Sequence, residues 1–135
     1  MKKLSVFLFT LLMMVCISAC NDSVPSETQD NSIAVIEAYI DQLMQTQEMQ
    51  SSIEYCKANN MDHCLEARKD TLVYKYTYTV LLPDSAKDVL LAQYDSAKDL
   101  LIPLAEGVKQ EISAVKTVVW EYYNADGTLI AKFPF

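Results

Sequence analysis

The sequence predicts an α+β domain, a three- to four-stranded antiparallel or mixed sheet with helices packed on one face. Three observations carry that expectation. The run "TLVYKYTYTVLL" alternates with the period of a strand. Segments before and after it place apolar residues three and four apart, the spacing of a helix face. The chain then ends in "VVWEYY" and "TLIAKF", two β-rich runs joined by "NADG", which predicts a hairpin.

At the start, Met1-Lys2-Lys3 precedes an apolar run from Leu4 to Ile17, then Ser18, Ala19 and Cys20. A positive start, about a dozen apolar residues and small residues at a cut read as an export signal. The run is short for a membrane span, which takes ~20 apolar residues. "ISAC" resembles the bacterial lipobox. That resemblance implies cleavage before Cys20, a diacylglycerol on its sulfur and an extracytoplasmic chain anchored to the cell membrane. A plain signal peptide with an incidental cysteine, or an uncleaved anchor, is the alternative. Two or more acyl chains anchor stably, because each buried CH₂ contributes ~0.8 kcal/mol. Residues 1–19 are therefore read as a lipoprotein signal peptide, 20–32 as a flexible tether rich in Ser, Asn, Pro and acid, and 33–135 as one domain.

From Ile33 to Asn60 the pattern is helical. Ile36, Ile40, Leu43 and Met44 form one stripe, and Met49, Ile53 and Cys56 form another. "QTQE" breaks the phase between them, and Thr46 suits the start of a second helix with Glu48 in its first turn. Asn59-Asn60 ends it, since Asn tolerates a left-handed backbone. Met61 to Ala67 is ambiguous and allows a short edge strand, followed by a turn at "RKD". In the next strand Leu72, Tyr74, Tyr76, Tyr78, Val80 and Leu82 share one face. An aromatic platform for sugars is one reading of the tyrosines; their continuity with Leu and Val favours a buried face.

"DSAKDVLL" and "DSAKDLLI" then repeat at an offset of 11 residues, close to three helical turns. Ala86, Leu90, Ala97, Leu101, Leu104, Val108 and Ile112 make one apolar stripe. Pro103 lies inside it and predicts a kink or break. An unbroken helix would return the chain parallel to the Tyr-rich strand; a break would allow an antiparallel return. In the last hairpin, Asn124 opposite Thr128 sets Tyr122 against Ile130 and Tyr123 against Leu129. Val118, Trp120, Tyr122 and Ile130 then face the core. Val119, Tyr123, Leu129 and Phe133 share the opposite face, a candidate partner surface.

The lipobox, the polar tether, the helix near Ile53, "LVYKYTY", the long acidic helix and above all "WEYYNADGTLIAKF" together resemble a family of small lipoproteins from Gram-positive bacteria. That family carries a C-terminal domain of unknown function. The resemblance spans roughly residues 33–135 and brings no activity or site residues. Cys56 and Cys64 stand outside its pattern.

With Cys16 in the leader and Cys20 acylated, Cys56 and Cys64 are the remaining thiols, and export favours a disulfide between them. Two free buried thiols, or a zinc site from Cys56, Asp62, His63 and Cys64, are the other readings. The net charge of −7 excludes nucleic acid as a natural partner, and removal of Lys2 and Lys3 makes the chain more acidic. Two glycines cannot build a phosphate loop, and one histidine with no motif around it gives no catalytic set. No cofactor or metal is expected. The sequence thus points to a non-enzymatic, lipid-anchored module that binds an envelope protein or wall component. An inhibitor of secreted hydrolases, acting through a protruding loop, is the alternative.

Overall fold

The computed structural model describes residues 31–135. The leader, Cys20 and most of the expected tether lie outside them. Three helices and four strands are present among the described residues. They are α1 (Asn31–Met44), α2 (Gln47–Ala58), β1 (Met61–Arg68), β2 (Thr71–Tyr78), α3 (Ala86–Glu111), β3 (Thr117–Tyr123) and β4 (Leu129–Pro134). Helix α1 takes in Asn31 and Ser32, so the last two residues of the expected tether are helical.

Local chemistry explains the boundaries. Thr46 caps α2, its hydroxyl accepting from the Met49 N–H at 3.2 Å. Asn60 takes φ 58 and turns the chain from α2 directly into β1. The ambiguous segment after it is a full eight-residue strand, joined to β2 through Lys69 and Asp70, with Lys69 at φ 56. Gly127 (φ 83) closes the last turn, and its N–H donates to the Asn124 carbonyl at 2.9 Å. The Asn124 side chain also accepts from the Leu82 N–H (2.8 Å) and donates to the Leu82 carbonyl (3.0 Å). One residue thus shapes the hairpin and ties down the loop that leaves β2.

The sheet order is β1-β2-β3-β4. β1 with β2 and β3 with β4 are antiparallel; β2 and β3 are parallel. Helix α3 runs unbroken through Pro103, which settles the direction of the return. Pro103 is exposed, so the Asp99 carbonyl that loses its partner lies on the solvent side. All three helices contribute to one core against one face of the sheet, through Ile36, Tyr39, Cys56, Leu90, Ala97, Leu101, Ala105 and Val108.

The sheet's share of that core is aromatic, in two cross-strand rungs. His63, Tyr76 and Tyr122 stack in sequence at 4.3 and 5.0 Å. Tyr74 stacks on Trp120 at 5.0 Å, and Phe133 lies beyond Trp120 in register. The Tyr-rich face is therefore interior at Leu72, Tyr76 and Tyr78, although β2 stops before Val80, which is exposed.

The hairpin register departs from expectation. Tyr123 pairs with Leu129, but Tyr122 pairs with Ala131 and Trp120 with Phe133. Ile130 is the extra residue of a bulge. Because side chains alternate along a strand, one added residue turns the rest of β4 over. Phe133 is consequently buried and stacks on Tyr94 of α3 at 4.1 Å instead of joining the expected partner surface.

Truncating interior aromatics tests this packing. Tyr76→Ala and Phe133→Ala are each expected to cost ~3 kcal/mol or more in urea unfolding. Leu129→Ala, at an exposed turn position, is expected to stay within ~0.5 kcal/mol. A neutral Phe133→Ala would restore the unbulged register.

Candidate functional site

Among the described residues no helix covers the second face of the sheet, and each strand sets charge there. Lys75, Glu121 and Lys132 fall opposite one another on β2, β3 and β4. Glu66 and Arg68 rise from β1 beside them. Glu121 is 2% exposed. Its carboxylate accepts from Arg68 Nη1 at 3.0 and 2.9 Å and from the Tyr123 hydroxyl at 2.7 Å, and Lys132 Nζ lies 3.5 Å away. A buried carboxylate without such partners would cost several kcal/mol, so these four side chains fix one another. Arg68 also donates to Glu66, and Lys75 Nζ donates to Glu66 at 2.7 Å. Lys75 lies over the Tyr123 ring at 5.2 Å.

The charges tune one another. Partial burial pushes the Glu66 carboxyl up, but bonds from Lys75 and Arg68 outweigh this and hold it below its ordinary range. Bonding to Glu66 raises the Arg68 guanidinium and the Lys75 ammonium. The Tyr123 hydroxyl is raised by its bond to Glu121. The result is an ion-paired surface spanning four strands.

The four residues of the expected partner surface are not together. Tyr123 lies on this face, and Leu129 is exposed at the turn. Val119 is on the same face but buried, 3% exposed, against its register partner Val73. Phe133 is in the core. The polar array in their place left a trace in the sequence: one charge at the centre of each apolar run, in "VYKYT", "VWEYY" and "IAKF". Only the pairing of the strands aligns those charges.

The expected disulfide is not formed. Cys56 and Cys64 are both free. Cys56 is buried under α2 on the helical side, whereas Cys64 follows His63 in β1 and points outward, exposed. Strand alternation separates them and also divides the zinc reading, since Asp62 and Cys64 share the outer side and His63 lies inside. No cluster of three or more metal-ligating side chains occurs among the described residues. His63 is 6% exposed, with Nδ1 3.4 Å from the Ser52 hydroxyl. Burial pushes the His63 imidazole down to about 4 and the Cys56 thiol up to about 11.

The fold and this face define a small α+β domain with a one-sided mixed sheet and an ordered polar outer surface. The chain matches the family described as "Domain of unknown function (DUF4854)" over residues 36–135, and it belongs to that family. No curated protein and no solved structure matches it.

Two measurements probe the buried groups. Native alkylation of the mature protein, mapped by peptide mass, is expected to label Cys64 and leave Cys56 until the chain is denatured. A Cys56–Cys64 crosslinked peptide would reinstate the bridge. His63 is neutral in the folded chain down to about pH 4 and protonates near 6.5 when unfolded. Stability is therefore full above about pH 6.5 and falls toward pH 4, by up to ~3 kcal/mol. His63→Phe should remove that part of the decline between pH 6.5 and 5, as read by urea melts; an unchanged slope would show that His63 does not cause it.

Proposed function

We propose that this protein is a non-enzymatic lipoprotein of the bacterial cell envelope. A lipid on Cys20 holds it to the membrane, and the helix-free face of its sheet engages a protein or wall component. The observation that carries this reading is the ion-paired array of Glu66, Arg68, Lys75, Glu121, Tyr123 and Lys132, built around a buried carboxylate. Side chains that already hold one another lose little freedom on binding, which favours recognition by a fixed surface. The strand connections Lys69–Asp70 and 124–128 are short, which supports contact through a face over a loop inserted into an enzyme's cleft. The leader with its lipobox supports the anchor, and the acidic charge supports a body held beside a membrane.

One experiment tests both halves. Cells express the full chain, the Cys20→Ala variant and chains with a photo-crosslinking residue at Thr77 or at Asp99. Thr77 is on the helix-free face and Asp99 on the solvent side of α3. Cys20→Ala is expected to lose fatty-acid labelling and membrane fractionation. The crosslinker at Thr77 is expected to trap an envelope component that the one at Asp99 does not. Labelling that survives in Cys20→Ala sinks the anchor; equal trapping at both positions, or none at Thr77, sinks the binding face.

A further inference from the structure

The two edges of the sheet differ. Strand β4 has six residues, a bulge at Ile130 and Pro134 at its end, with the Lys132 side chain half exposed. These are devices that stop a further strand from pairing. Strand β1 has eight residues, pairs regularly with β2 along its whole length, and contains no proline and no bulge. Among the described residues its other edge carries no strand. Backbone groups along such an edge are a template for strand addition.

A groove of about 490 Å³ runs beside that edge, lined by Glu37, Ile40 and Asp41 of α1 and by Leu65, Glu66 and Ala67 of β1. Its apolar lining is Ile40, Leu65 and Ala67. Glu37 and Asp41 stand one turn apart on α1, both exposed, and neither forms an ion pair among the described residues. Glu66 differs from them, because Arg68 and Lys75 already neutralise it. The chain as a whole carries −7.

We propose that β1 and this groove take up an extended basic segment of a partner protein as a fifth strand. Alternation sends every second side chain of such a strand toward α1. A lysine there lays its aliphatic stem along Ile40, Leu65 and Ala67 and brings its ammonium to Glu37 or Asp41. The backbone supplies affinity and the acid pair supplies the choice of a basic sequence. The inference is independent of the lipid anchor and of the helix-free face.

The probe is a fluorescent peptide, acetyl-Thr-Lys-Thr-Lys-Thr-Lys-Thr-amide, titrated with the full chain in detergent and followed by anisotropy. Two further peptides carry N-methyl groups, one on all its lysines and one on all its threonines. Charge is the same in all three, and each methylated peptide blocks one strand edge. The parent peptide is expected to bind. One methylated peptide should bind about tenfold more weakly or worse and the other like the parent. Glu37→Lys/Asp41→Lys should also weaken binding about tenfold or more, whereas Asp88→Lys/Asp99→Lys on α3 makes the same charge change and should leave it unaltered. Thermal melts confirm that both variants fold. Equal affinity of both methylated peptides overturns the proposal, and so does equal weakening by the two charge variants. A dimer in light scattering that takes up no peptide gives the edge to a second copy and overturns it as well.

Discussion

Side-by-side stacking of aromatic rings across neighbouring strands is the constraint on which the rest of this structure depends. His63, Tyr76 and Tyr122 form one rung, and Tyr74 and Trp120 form the core of the next. Each ring has area enough to dominate its surroundings, and none can be left in water without losing most of that gain. The helices must therefore cover this face. Helices α1 and α2 close over β1, and α3 closes over β3 and β4. A helix long enough to span the sheet carries the chain back to the end at which β2 began. Parallel pairing of β2 with β3 follows from it, and so do the positions of both edges.

The bulge at Ile130 serves the same constraint. Without it, Phe133 would alternate onto the outer face. With it, Phe133 reaches Tyr94, and Phe135 packs edge-on against Trp120 at 5.4 Å. The short final strand thus closes the aromatic layer, and the irregular ladder leaves a poor template at that edge. At the opposite edge the register is regular, because β1 brings only His63 and Leu65 to these rungs and no ring must be redirected.

The two faces of the sheet are stabilised by different means. On the helical side, burial depresses charge: His63 stays neutral, and the hydroxyls of Tyr74 and Tyr122 resist ionisation for the same reason. On the other side no helix among the described residues excludes water, and charged side chains pair with one another. Glu121 is the point where the two regimes meet, a buried group on an open face whose ionic partners lie on β1 and β4. Such a group fixes the strands in register from the outside as the rings do from the inside.

Period and turn chemistry alone determined the fold class, the Tyr-rich strand, the cap at Thr46, the turn at Asn60 and the closing hairpin. Each of these is local: a side chain bonds its own backbone, or alternates toward a core that any partner could supply. Other features depended on distant segments. Pro103 permits a broken or a continuous helix, and the helix that packs against the sheet is continuous. Ile130 is an ordinary strand residue until Trp120 and Tyr94 require Phe133 to face inward. Cys56 and Cys64 are close in sequence, yet a helix end and one step of strand alternation put them on opposite sides. The single charges at Lys75, Glu121 and Lys132 were visible as exceptions in apolar runs, but register alone makes them one array. Glu37 and Asp41 are exposed positions of α1. Only the docking of α1 beside β1 places them along an open strand edge, because a groove is a property of two elements and is written in neither.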